Sequence, residues 1–187
     1  LFILFHNYNT NCFVVWSITT IDEKVKRIIE PGTPPTSRVF ETIKKFIDSG
    51  IKCCVNIDPI IPFVTDSEEH ILSIVDMCHQ LGIRYISGSI LRLRSDIWIR
   101  IREILELLGI PWSIEEYEKI FGFQEPLMND NNLSASTTYS DNVINCLKYE
   151  LSKRNIEFGF DKLIECISNL KSEYAISTKQ YKISEFI

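Results

Sequence analysis

FVVWSITTIDEKVKRIIEPGTPPTSR, residues 13–38, decides how the rest of the chain is read. It opens as an apolar strand, Phe13 to Trp16, and turns polar at Ser17-Ile18-Thr19-Thr20, where a parallel strand would end and present its last side chains. Ligands of α/β folds sit at that end of the strands. Asp22 is placed to cap a short helix with Val25, Ile28 and Ile29 on one face, which Glu30-Pro31-Gly32 stops. Thr33 to Ser37 re-sets the chain for a second helix starting near Arg38.

Downstream the same unit recurs. Val39, Phe40, Ile43, Phe46 and Ile47 keep helical spacing up to Ser49, and Gly50 supplies the left-handed stop. Ile51 to Ile57 is a nearly continuous apolar run, the pattern of a strand buried on both faces, and the prolines of Asp58-Pro59-Ile60-Ile61-Pro62 are expected to end it. Ser67 caps a helix whose buried face holds Ile71, Leu72, Ile74, Val75, Cys78 and Leu81, with Gly82 at its end. Ile83-Arg84-Tyr85-Ile86 and Ile90-Leu91-Arg92-Leu93 give a third strand region, bent at Gly88. Alternation of strand and helix means crossover connections in a parallel sheet. Periodicity alone does not separate an open doubly wound sheet from a TIM-like barrel.

Four pieces in series, Ser17-Ile18-Thr19-Thr20, Glu30-Pro31-Gly32-Thr33-Pro34 with Arg38, Asp58-Pro59-Ile60-Ile61-Pro62, and Ile90-Leu91-Arg92-Leu93, resemble the radical SAM enzymes. Within them the likeness is to spore photoproduct lyase and the related "DNA repair photolyase" group, and it covers the chain to about Arg94. The resemblance implies an α/β fold, a partial (β/α)6 TIM-like barrel with strands four to six present over residues 1–94, followed by a mostly helical C-terminal extension over 95–187. It also implies S-adenosylmethionine (SAM) and a four-iron four-sulfur cluster as cofactors, with SAM cleaved reductively to start radical chemistry on a substrate. An electron donor such as ferredoxin or flavodoxin is implied too, and nucleic acid as a partner by family analogy alone. The resemblance implies that Ser17 contacts the amino-acid end of SAM; Thr19 is similarly placed, with capping of the following helix as its other reading. Glu30 and Arg38 are expected at the rim near its methionine moiety, and Asp58, Pro59, Ile60, Leu91 and Arg92 against its adenine.

One departure is large. The family holds its cluster by a C-x-x-x-C-x-x-C run, because three thiolates leave one iron open for SAM. This chain has no such run. Beginning at Leu and not Met, it is read as the later part of a longer protein, inactive by itself. Its six cysteines do not repair the gap: Cys53 and Cys54 are adjacent in a strand and point to opposite faces, Cys78 and His79 diverge on a helix, and Cys12, Cys146 and Cys166 stand alone. No zinc spacing, P-loop, G-x-S-x-G or G-x-G-x-x-G is present.

Composition sets outer bounds. With 45% hydrophobic and 24% charged residues the 187-residue chain has the make-up of an ordinary globular protein. A net charge of −5 gives no global basic field for nucleic acid. Irregular cysteine spacing points to a reducing, cytoplasmic setting. Leu1 to Phe5 is too short an apolar run for a membrane span and reads as a remnant strand or helix end.

After Ser95 the pattern turns helical. Ile97, Trp98, Ile101, Ile104, Leu105 and Leu108 form one helix, and Ser113 with Glu116 is expected to open the next as a capping box. Residues 123–138 read as a long mobile loop, Tyr139 to Asn155 as helix, Ile156 to Phe160 as a strand, Asp161 to Leu170 as a last helix, and the tail from Lys171 as loosely held. Two rivals to the radical SAM reading stand. One is another TIM-like metabolic enzyme, which needs a phosphate site after the late strands, for which Ser87-Gly88-Ser89 is the one hint. The other is a non-catalytic barrel fragment completed by a partner along an unpaired edge.

Overall fold

The structure, a computed structural model, describes residues 13–127 and 131–165. Leu1 to Phe5, Cys12, Cys166 and the tail from Lys171 lie outside the described residues. Four strands, β1 (Phe13–Ser17), β2 (Lys52–Ile60), β3 (Tyr85–Ile90) and β4 (Glu157–Phe158), pair in sequence order, each parallel to the next. Helices α1 (Glu23–Ile29) and α2 (Thr36–Asp48) join β1 to β2, and α3 (Glu68–Gln80) joins β2 to β3. The excursion from β3 to β4 carries α4 (Ser95–Leu107), α5 (Ser113–Phe121) and α6 (Thr137–Lys153). The α/β class is as expected. The fourth strand, in the region read as a helical extension, joins the same sheet.

Alternation along the strands builds the main core. Val14 and Trp16 of β1, Cys53, Val55 and Ile57 of β2 and Ile86 of β3 face one way, where Phe40, Ile43 and Phe46 of α2, Ile71, Ile74 and Val75 of α3, and Val143, Leu147 and Leu151 of α6 meet them. Burying each such side chain stabilises the fold by about 1.5–3 kcal/mol. With these helices on one face of a sheet whose strands run in sequence order, the other face is met, among the described residues, by the segment after β4. The lower part of that face is filled by Phe160 and Leu163, packed with Cys54, Phe13 and Tyr85. A second core lies where the chain leaves the strands: Ile61, Leu91 and Leu93 pack with Trp98, Ile101, Ile104 and Leu105 of α4 and Tyr117 and Phe121 of α5.

Local signals place most helix ends. The Asp22 carboxylate accepts from Lys24 N at 2.7 Å and Val25 N at 3.2 Å, and Ser67 Oγ accepts from His70 N at 3.2 Å. The capping box at Ser113 does not form. Ser113 is already helical, and its hydroxyl donates to Ile110 O at 2.7 Å while Trp112 takes the cap position.

Three other expectations are corrected. Pro59 does not end β2: the strand continues to Ile60, and the register with β3 shifts between Ile57 and Ile60, so the proline sits in a bulge that needs no donor. β3 runs unbroken through Gly88 to Ile90, and Leu93 leaves the sheet to form an antiparallel bridge with Leu133. That bridge also changes the reading of 123–138 as a mobile loop. Leu127 is buried, Glu125 accepts from Trp98 Nε1 at 2.7 Å, and Ser136 N donates to Ile120 O at 2.8 Å.

Candidate functional site

A parallel sheet aligns side chains of equal register, and here that puts three polar groups in a row at the carboxyl end of the face opposite the helices. Ser17 is in register with Asn56, and Asn56 with Ser87. Neighbouring strands lie about 4.8 Å apart, so the row spans about 10 Å. One step further along, Asp58 Oδ1 accepts from Ser89 Oγ at 2.5 Å, and Asp58 Oδ2 lies 3.4 Å from Asn56 Nδ2. Ser17, Asp58 and Ser89 are exposed and Asn56 and Ser87 half-buried, so the row is open to a ligand. Hydroxyls, an amide and one carboxylate offer both donors and acceptors to a polar molecule laid across the strands.

The sequence singled out Ser17 and Asp58 for the SAM site and Ser87 and Ser89 only as the hint of a phosphate site in a rival reading, while Asn56 went unmarked. The signal was present: Cys54, Asn56 and Asp58 occupy every second position and turn polar toward the strand end. Reading Ile51 to Ile57 as buried on both faces concealed it.

Thr19 and Glu30 belong to a different arrangement. Thr19 is buried, and its Oγ1 donates to Glu30 Oε1, while Lys26 Nζ reaches Glu30 Oε2 at 2.7 Å. Thr33 Oγ1 donates to Glu30 O at 2.9 Å, and Thr36 Oγ1 to Thr20 O at 2.8 Å. His70 Nε2 lies 3.2 Å from Thr19 O. This network ties the strand exit to α1, α2 and α3. Glu30 pairs with Lys26, four residues back on one helix face, and not with Arg38 across the turn. Arg38 is exposed in the first turn of α2. Beside the turn lies a groove of about 250 Å3 lined by Lys26, Arg27, Glu30 and Thr33.

Two titrations follow from this network. Burial raises the Glu30 carboxyl, but hydrogen bonds from Lys26 and Thr19 and the Lys26 charge outweigh it, and the net shift is downward. A depressed carboxyl contributes stability above its unfolded value of about 4.3, which is lost as pH falls through the folded value. Burial lowers His70, against the Thr19 carbonyl and the charges of Asp22 and Asp66. The folded state then resists protonation that the unfolded chain accepts below about pH 6.5, so stability falls in acid from there. Urea midpoints measured against pH are expected to fall first below about pH 6.5, then again below about pH 4. His70→Gln, whose amide nitrogen falls about where Nε2 does and can still donate to Thr19 O, is expected to remove the first step and keep the second; a first step that survives in this variant would show that His70 is not its source.

Ile60 is fully buried in the main core, and Leu91 lies in the second core, so neither offers a side chain to an adenine. Pro59 is half-buried in the bulge. Arg92 is exposed and lines a hollow with Ser89.

The described cysteines do not suit an iron–sulfur cluster. Cys53 packs on the helix side of β2 and Cys54 on the other, Cys78 is buried in the main core, and Cys146 is half-buried on α6. Burial pushes the Cys54 and Cys78 thiols up to about 12, the neighbouring Cys53 adding to the first. Among the described residues no group of three or more His, Cys, Asp or Glu is placed to hold a metal ion. Nor, among them, is any helix long and apolar enough to cross a membrane.

Fold and strand-end row together define an α/β protein with a polar, ligand-accessible carboxyl end to its parallel sheet. No family model matches the chain. Uncharacterized protein ORF301 of Acidianus two-tailed virus is 30% identical over 94 residues, covering 49% of this chain and 31% of the viral protein. The crystal structure of SuiB from Streptococcus suis is similar over 51% of this chain and 24% of that one, at 20% identity and a TM-score of 0.35. The chain thus matches less than a third of the length of either relative. So low a TM-score carries no argument.

Proposed function

We propose that this chain forms the SAM-binding wall of a radical SAM enzyme, as part of a partial (β/α)6 TIM-like barrel. The observation that carries the reading is the in-register row Ser17, Asn56 and Ser87 with Asp58 and Ser89, at the carboxyl end of parallel strands whose helices cover the opposite face. A molecule with an ammonium, a carboxylate and a ribose diol needs both acceptors and donors, and this row supplies Asp58 for the first and hydroxyl and amide groups for the others. In such an enzyme the cluster supplies the electron that cleaves SAM. Its thiolates are expected from a C-x-x-x-C-x-x-C run outside this chain, its electrons from a ferredoxin or flavodoxin, and its setting is cytoplasmic. The chain's part is to bind, orient and shield.

The test is the coding DNA immediately upstream of Leu1, translated in frame. The expected result is a C-x-x-x-C-x-x-C run after a strand. A stop codon with no such run there or in a neighbouring gene would overturn the reading and leave a non-catalytic barrel fragment. In the cluster-loaded protein, Ser17→Ala is expected to weaken SAM binding about tenfold, the loss of one hydrogen bond of about 1.4 kcal/mol. Because Ser17 is exposed, its melting temperature is expected to stay put. Equilibrium dialysis with labelled SAM measures the first and thermal denaturation the second; unchanged affinity would remove Ser17 from the site.

A further inference from the structure

We propose that the hollow between the carboxyl end of β3 and the start of α6 is an anion subsite that takes the phosphate group of a phosphorylated small molecule. As a substrate subsite it rests on the radical SAM reading; as an anion site it stands without it. The hollow measures about 250 Å3 and is lined by Arg92 and by Ser89, Ser134 and Ser140, with Ile90 and Ile144 as its apolar part. Its size is just below the range of roughly 300–1,000 Å3 for pockets that enclose drug-sized ligands, which suits a phosphate with a small remainder.

The donors are available. Among the described residues Arg92 makes no ion pair and the Ser134 hydroxyl no hydrogen bond, while Ser140 Oγ reaches Ala135 O only at 3.5 Å. A guanidinium presents a planar fork of N–H groups that matches phosphate oxygens two at a time. No carboxylate is among the described residues that line the hollow. The acid next to it, Asp58, accepts from Ser89 Oγ at 2.5 Å, which leaves the Ser89 oxygen free to accept from the hydroxyl of a protonated phosphate. That same bond links the hollow to the strand-end row, placing a phosphate beside the proposed SAM wall. Since Leu91 is committed to the second core, the cation of Arg92 is better matched to an oxyanion than to an adenine ring.

The experiment is a titration of the full 187-residue chain with inorganic phosphate near neutral pH, chloride being withdrawn to hold ionic strength, followed by amide proton–nitrogen correlation spectra. Saturable shifts confined to residues 89–92 and 134–140 are expected, with a millimolar Kd. Arg92→Gln is expected to weaken binding about tenfold, and Arg92→Lys to keep part of it. Arg92 is exposed, so both variants are expected to give wild-type spectra before phosphate is added. Absence of saturation, or Arg92→Gln with wild-type affinity, would overturn the subsite. The measurement needs neither cluster nor SAM. Phosphate binding by a protein whose cluster-loaded form ignores SAM would leave the subsite and remove the radical SAM reading; the reverse pattern would remove the subsite alone.

Discussion

Tyr117→Ala is expected to destabilise the chain by about 3–5 kcal/mol, whereas Tyr117→Phe is expected to cost only about 1 kcal/mol. Tyr117 is fully buried at the centre of the second core, its ring 5.6 Å from Phe121, 5.2 Å from Trp98 and 5.9 Å from Phe63. Removing it opens a cavity between α4, α5 and the loop after β2 that those rigid rings cannot close. Its hydroxyl donates to Pro62 O at 3.0 Å, and the phenylalanine variant loses that bond and keeps the packing. Burial, with Asp66 nearby, raises the phenol, so the hydroxyl stays a donor across the ordinary pH range. Urea denaturation of both variants measures the difference. Equal losses would mean that the bond to Pro62, and not the aromatic packing, holds this core. Because Pro62 follows the strand that carries Asp58, the alanine variant is also expected to loosen the polar row.

What could be read before folding was what depends on near neighbours. Asp22 and Ser67 cap the helices they precede because the groups they satisfy lie two or three residues ahead. The strand–helix alternation gave the parallel sheet for the same reason: each apolar run carries its own period. Lys26 shows the limit. A lysine in a short exposed helix reads as solvated, yet it is buried because Thr19 and Glu30, at the two ends of the segment that carries α1, meet beside it. Glu30 and Arg38 read together as rim residues, and helix geometry gives Glu30 a partner in Lys26 instead. The polar row lies beyond local reading altogether. Asn56 and Ser87 are 31 residues apart, and only the register of two strands makes them neighbours. β4 returns to the sheet after three helices, a distance over which periodicity carries no pairing information.

Gly88→Ala is expected to cost about 1–3 kcal/mol and to disturb the hollow beside α6. Glycine here answers to space, not to backbone conformation: an added Cβ would lie 2.9 Å from Leu147 Cδ2 and 3.2 Å from the carbonyl oxygen of Ile57. The leucine can turn aside at the cost of an off-rotamer side chain, but the carbonyl is fixed in the sheet. Two neighbours of unequal stiffness make the prediction divisible. Leu147, fully buried, is expected to cost about 2–5 kcal/mol when truncated to alanine in the wild type, and about 0.5–3 kcal/mol less in the Gly88→Ala background, where the truncation also relieves the clash. A double-mutant cycle of urea midpoints reads that coupling directly, and additive losses would place the strain wholly on Ile57 O. α6 carries Ser140 and Ile144 from the same helix as Leu147, so any outward shift of α6 widens the hollow. Phosphate affinity in Gly88→Ala is therefore expected to fall, and to recover in part when Leu147→Ala is added, which ties the closeness of one helix to one strand to the site at their common end.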